Sequence, residues 1–134
     1  MKDRYLHTDK APQAIGPYSQ AVRAGGMLYI SGQIPVDPAT GELVEPSFAA
    51  QTRQSMANLS AILAEAGLTL ADAVKTTIYL TDMDHFAEVN EAYAAFFDGP
   101  CPARACVEVS RLPKGALVEI ELVASCREMK IDRE

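Results

Sequence analysis

Hydrophobic and polar positions alternate most tightly late in the chain, in Pro102-Ala103-Arg104-Ala105-Cys106-Val107 and in Leu117-Val118-Glu119-Ile120-Glu121-Leu122-Val123-Ala124. A period of two predicts two strands, here joined by a turn through Leu112-Pro113-Lys114-Gly115. Val118, Ile120, Leu122 and Ala124 fall on one face of the second strand, a plain core stripe. Leu117, Glu119, Glu121 and Val123 fall on the other, so two glutamates stand between apolar brackets. Arg104 and Cys106 share one face of the first strand. A guanidinium and carboxylates in such apolar company indicate either a buried ion pair or a site.

The same patterning predicts strands over residues 5–7, 19–24, 27–33 and 73–81. The second and third form a hairpin around Gly25-Gly26. Gly16-Pro17 marks a turn before them, and residues 35–46, with three prolines and Gly41, read as loop. Met56, Leu59, Ile62 and Leu63 recur at helical spacing within residues 47–66. Ser47 caps the start of that helix, and Gly67 suits its left-handed end. Asp82 caps a second helix over residues 83–97, with Phe86, Val89, Tyr93 and Phe97 as its apolar stripe. The last two strands extend over residues 103–110 and 116–127.

The element order is therefore β-β-β-α-β-α-β-β. Two amphipathic helices cover only one face of a mixed sheet, which makes an α+β layered domain. The other face keeps Leu117 and Val123 among its uncovered groups. An uncovered apolar sheet face predicts a homo-oligomer with sites at or near the subunit interface.

Bulk properties narrow the classes of function. The 134 residues, 49% hydrophobic and 22% charged, fit a single domain over residues 1–134. A net charge of −6 and a pI near 4.9, without a run of Lys or Arg, argue against a nucleic-acid partner. The charged first ten residues do not resemble a signal peptide. No stretch nears the roughly 18 apolar residues of a membrane span, so no membrane role is expected. Cys101, Cys106 and Cys126 have no scaffold spacing and read as free thiols of a cytoplasmic protein. His7 and His85 show no ligand spacing, so no metal site is expected.

Several segments, in order over nearly the whole chain, carry a family resemblance. They are Ile15-Gly16-Pro17-Tyr18-Ser19-Gln20-Ala21, Ser31-Gly32-Gln33-Ile34-Pro35, Val74-Lys75-Thr76-Thr77, Asn90, Pro102-Ala103-Arg104, Leu112-Pro113 and Val118-Glu119-Ile120-Glu121. The chain resembles the reactive-intermediate deaminase A family, also called the YjgF family. The resemblance implies a chorismate-mutase-like fold, a homotrimer whose sheets form a central barrel, and clefts between subunits. It implies hydrolysis of reactive 2-imino acids and their enamine tautomers, such as 2-iminobutanoate and 2-iminopropanoate, to 2-keto acids and ammonia.

The site residues carry over one by one. Arg104 matches the arginine that grips the substrate carboxylate, a task for a planar fork of N–H donors. Glu119 matches the glutamate beside the attacking water, which it orients and deprotonates, while Glu121 is its structural neighbour. Cys106 matches a position whose backbone lines the pocket; no histidine is near in sequence to activate its thiol. Tyr18 matches a tyrosine that closes the pocket, and Asn90 an asparagine near the cleft. Ser31 and Gly32 end a strand in a tight turn, where backbone approaches ligand closely. No cofactor is required, because a protonated imine is already electrophilic and positioning lowers its barrier.

Two departures from the family pattern stand out. Only Asp98-Gly99-Pro100-Cys101 separate Phe97 from Pro102, a shorter connection that bears on substrate size. Ala105 replaces a common serine or threonine and points away from Arg104. Three rival readings remain: a deaminase of another enamine such as an aminoacrylate, a ligand-binding or regulatory trimer, and a ribonuclease.

Overall fold

The computed structural model describes residues 4–126. Strands β1 (Tyr5–Leu6), β2 (Ala21–Ala24) and β3 (Met27–Gln33) form an antiparallel meander, with the expected hairpin between β2 and β3. Gly25 and Gly26 take φ of 58° and 78° there, a region side chains resist. The predicted loop that follows contains a small separate hairpin, β4 (Val36–Asp37) with β5 (Glu42–Leu43). Its turn closes at Gly41, φ 78°, and Asp37 Oδ1 accepts the Ala39 N–H.

Helix α1 (Phe48–Glu65) begins as its sequence predicts: the Ser47 hydroxyl accepts the Ala50 N–H. It ends at Gly67 with φ 78°. Met56, Leu59, Ile62 and Leu63 are fully buried. The buried face is wider than that stripe, because Gln51 and Asn58 are buried too. Each is satisfied by backbone groups of loops, as a buried amide must be. Asn58 donates to the carbonyls of Ile34 and Val36, and Gln51 accepts the Leu117 N–H at 2.8 Å. The helix thereby fixes the entrance to the last strand.

Strand β6 (Ala73–Leu80) leads to a 3-10 turn over Met83–His85 and then to helix α2 (Phe86–Ala94). Asp82 does cap this segment, but its side chain holds the 3-10 turn, and the α-helix is shorter than residues 83–97. The His85 ring stacks on Phe48 with centroids 4.1 Å apart, tying the start of α1 to the entry of α2.

Strands β7 (Ala103–Glu108) and β8 (Val118–Ser125) are not neighbours, contrary to the expectation of two strands simply joined by a turn. The sheet order is β1-β2-β3-β8-β6-β7. A strand–helix–strand crossover through α2 returns the chain parallel to β6, so β7 takes its outer side. β8 then fills the gap between β3 and β6, antiparallel to both. That central place explains its sequence: Val118, Ile120, Leu122 and Ala124 are all buried, on the face that α1 packs against. Burying each large aliphatic of the three stabilises the fold by about 1.5–3 kcal/mol. The last strand was expected to reach Arg127, which lies outside the described residues.

Both helices pack on one face, giving a mixed α+β layer structure around one contiguous core. The opposite face keeps Tyr29, Val74 and Val107 exposed, with Val123 and Leu117 half-buried. No helix among the described residues is long and apolar enough to cross a membrane.

Candidate functional site

The seven residues singled out from the sequence fall into two groups on opposite faces of the sheet. Arg104, Cys106 and Asn90 lie on the helix side, at the β7 edge. In the parallel ladder Arg104 pairs with Thr76 and Cys106 with Ile78, both core-facing residues of β6. Tyr18, Ser31, Gly32 and Glu119 line a groove of about 630 Å³ on the open side. An ion pair of Arg104 with Glu119 or Glu121 is therefore ruled out within one chain, because the sheet stands between them.

Helix α2 arranges the Arg104 guanidinium. Arg104 Nη1 donates to Asn90 Oδ1 at 2.6 Å. The guanidinium carbon stands 5.5 Å from the Phe86 ring centre and 5.3 Å from that of Tyr93. Phe86, Asn90 and Tyr93 are spaced by four and three residues, so one helix face presents all three. Tyr93 is itself fixed, its hydroxyl sharing a 2.7 Å hydrogen bond with buried Thr76. Phe86 and Tyr93 read from the sequence as core stripe alone; their spacing to Asn90 is the signal of a second role. Among the described residues no carboxylate pairs with Arg104. Its remaining N–H groups leave a cationic fork at the sheet edge.

Cys106 packs partly into the core next to this cluster. Burial pushes its thiol pKa up, and the nearby Arg104 charge only partly opposes that. A raised thiol pKa is the opposite of what a nucleophilic cysteine needs. The thiol is a packing group.

On the open face, Glu119 is half-buried and its carboxyl pKa is raised, first by desolvation and then by the Glu121 charge. Glu121 is held separately: the Tyr79 hydroxyl donates to Glu121 Oε2 at 3.2 Å. Both glutamates line the groove and differ in their bonding: Glu121 is held by Tyr79, and Glu119 packs against Gly32. Tyr18 stands half-exposed at the groove wall, and its hydroxyl accepts the Ile15 N–H at 3.3 Å. Gly16, φ 123°, allows the turn that aims it. Ser31 and Gly32 do not end a strand in a tight turn; they lie inside β3, at an irregularity in its pairing with β8. Ser31 donates through Oγ to the Ser19 carbonyl at 2.6 Å. Lys114 also lines the groove, held at φ 61°, a conformation uncommon outside glycine. Periodicity gave no sign of it.

A two-helix, mixed-sheet domain with a clamped arginine on one face and a desolvated carboxylate in a groove on the other defines a small α+β protein with a divided polar site. The model of the family described as Endoribonuclease L-PSP matches residues 8–126, and the chain belongs to that family, which includes the YjgF, RutC and Rid proteins. A RutC family protein of Pyrococcus horikoshii is 55% identical over 119 residues, covering 89% of this chain and 94% of its own. An Escherichia coli protein named 2-iminobutanoate/2-iminopropanoate deaminase is 53% identical over 122 residues, covering 89% and 94%. A Thermotoga maritima structure described as a putative endoribonuclease superposes with a TM-score of 0.90 at 48% identity, covering 94% and 99%.

Proposed function

We propose that this protein hydrolyses reactive 2-imino acids, and their enamine tautomers, to 2-keto acids and ammonia. The observation that carries the reading is the Arg104 fork, clamped by Asn90 and two aromatic rings yet paired with no carboxylate among the described residues. A preorganised guanidinium left without its counter-charge suits a small carboxylate, held by two parallel hydrogen bonds. The likeness to the Escherichia coli deaminase supports 2-iminobutanoate and 2-iminopropanoate as substrates.

The chemistry follows from the two groups of residues. Arg104 anchors the substrate carboxylate, with the Cys106 backbone lining the same side. Glu119, its basicity raised by burial, accepts a proton from water as the oxygen attacks the imine carbon. The C=N double bond becomes a C–N single bond, giving a tetrahedral carbinolamine. Starting from the protonated imine, Glu119 passes that proton to the nitrogen and takes up the hydroxyl proton as the C–N bond breaks, the carbonyl forms and ammonia leaves. The proton then goes to ammonia, giving ammonium, and the carboxylate is restored. Tyr18 closes the groove over the reacting atoms. An enamine first takes a proton on carbon to become the imine and then follows the same course.

Arg104 and Glu119 meet in one site only when two copies of the chain combine, with the β7 edge of one against the groove of the next. The exposed Tyr29, Val74 and Val107 give such an assembly apolar surface to bury, and a homotrimer with intersubunit sites is the form proposed. A ribonuclease role, which the family description suggests, suits the chain less well. RNA binding draws on clustered cations, whereas this chain carries −6 and its groove holds two glutamates.

The test generates 2-iminobutanoate or 2-iminopropanoate in situ with an amino-acid oxidase and traps it with semicarbazide. Native protein suppresses trapping and Arg104→Ala does not. Equal trapping with both proteins would remove the deaminase reading for these substrates. Single-stranded RNA cleavage that disappears with Arg104 would favour the ribonuclease.

A further inference from the structure

β3 carries one residue more than β8 beside the groove. Ile30 pairs with Leu122 and Gln33 with Ile120, so Ser31 and Gly32 together face Glu121 alone. This is a β-bulge, a device that re-aims the residues it contains. Ser31 is fixed in it from two directions: its N–H donates to the Gln20 carbonyl at 2.9 Å and its hydroxyl to the Ser19 carbonyl at 2.6 Å.

Gly32 is free of the usual reason for a glycine. Its φ lies outside the left-handed region, so any residue could adopt its backbone. What it lacks is room. A Cβ at this position would stand 2.9 Å from Glu119 Cδ and 3.2 Å from Cγ, and would overlap Oε2. At Gly25, Gly41, Gly67, Gly99 and Gly115 a Cβ would meet nothing within 4 Å. The Glu119 carboxylate thus occupies the space where residue 32 would have its side chain.

We propose that Gly32 is a positioning residue: the bulge turns its bare Cα toward β8, and that gap is the seat that holds the Glu119 carboxylate in the groove. The proposal rests on the reading of Glu119 as base to the attacking water. The pinned bulge prevents β3 from retreating, so a methyl group at residue 32 must push the flexible glutamate side chain out into open solvent. The carboxylate-binding half of the site lies across the sheet and is untouched.

Two measurements on Gly32→Ala test this. In imine hydrolysis kcat falls about 100-fold, the scale of an ångström-size misplacement of a reacting group. KM stays within about threefold, since the groups that clamp Arg104 are unchanged. In a Glu119→Gln background the same alanine has no further effect, because the group it displaces is already disabled. An unchanged kcat, or an equal additional loss in the Glu119→Gln background, overturns the proposal. Carboxyl NMR titration of Glu119 is independent of turnover. The charged and titratable groups around it are Glu121 on the same strand, Tyr79 on β6, and Tyr18 and Lys114 on the groove walls. In Gly32→Ala the Glu119 pKa falls toward the ordinary carboxylate value as the group gains water; an unaltered pKa overturns the seat. If native protein leaves imines untouched, the deaminase reading fails while this titration still decides the seat. Should Gly32→Ala not fold, pairing it with Glu119→Ala restores folding; failure of the pair as well overturns the proposal.

Discussion

Arg104 and Glu119 stand on opposite faces of one sheet, with β6 between their strands. A small substrate that touches both must therefore lie between two copies of the chain. Subunit mixing reads this directly. Arg104→Ala and Glu119→Gln are each expected to be inactive alone. Unfolded together and reassembled at equal amounts, they regain about a quarter of native sites if association is random and each site draws on two subunits. A mixture as inactive as its components would place the whole site within one chain.

Asn90 donates no charge, yet its amide oxygen fixes the direction of the Arg104 fork at 2.6 Å. Hydrogen bonds to charged groups contribute about 1.5–3 kcal/mol, so Asn90→Ala is expected to raise KM about 10- to 100-fold. The effect on kcat is smaller, because the proposed base, Glu119, sits on the other face. Steady-state kinetics on the trapped-imine assay separates the two parameters. A fall in kcat alone would contradict the assignment of Asn90 to carboxylate binding.

Cys106 invites a covalent mechanism by its place next to Arg104, and its raised thiol pKa argues against one. Cys106→Ser is expected to keep kcat/KM within a few-fold of native. Alkylation by iodoacetamide near neutral pH labels exposed Cys101 ahead of Cys106. Complete loss of activity in the serine variant would make the sulfur itself essential.

His85 links stability to pH. Its ring stacks on Phe48, and its pKa is raised chiefly by the 2.8 Å hydrogen bond to Glu88, with Asp82 and Asp84 adding to it against some desolvation. A histidine with a folded pKa above its unfolded value adds stability that is full below the unfolded value. That stability is lost as pH rises through the folded one. The melting temperature of His85→Gln, measured from about pH 5 to about pH 8, should fall furthest below native at the acidic end. A gap that widens toward alkaline pH would reverse the assigned sign.

Much of this arrangement was legible in the sequence, and the remainder has a common cause. The alternation in β8 separated Glu119 and Glu121 from the core stripe because a side-chain period of two is local. The Ser47 cap and Gly67 end of α1 were legible for the same reason. The neighbour relations of β7 were not, since the crossover through α2 decides them and leaves no periodic trace. Phe86 and Tyr93 looked like ordinary core because they share the helical spacing of the buried Val89; only the register of α2 over β7 shows Arg104 between them. The bulge at Ser31 and Gly32 was invisible because one extra residue shows only against the partner strand. Local chemistry was readable, and the pairing that brings chemistry together was not.

The direct connection from α2 to β7 has a bearing on how such proteins diversify. With residues 95–102 joining them directly, the helix that clamps Arg104 and the strand that carries it form one unit, and the Asn90–Arg104 hydrogen bond constrains substitutions there in pairs. Ile15, Tyr18 and Lys114 reach the groove from turns and loop ends, which tolerate change far more readily. Variation at these positions can therefore reshape what the groove accepts while the Arg104 clamp stays as it is, so the two halves of the proposed site are free to change on separate clocks.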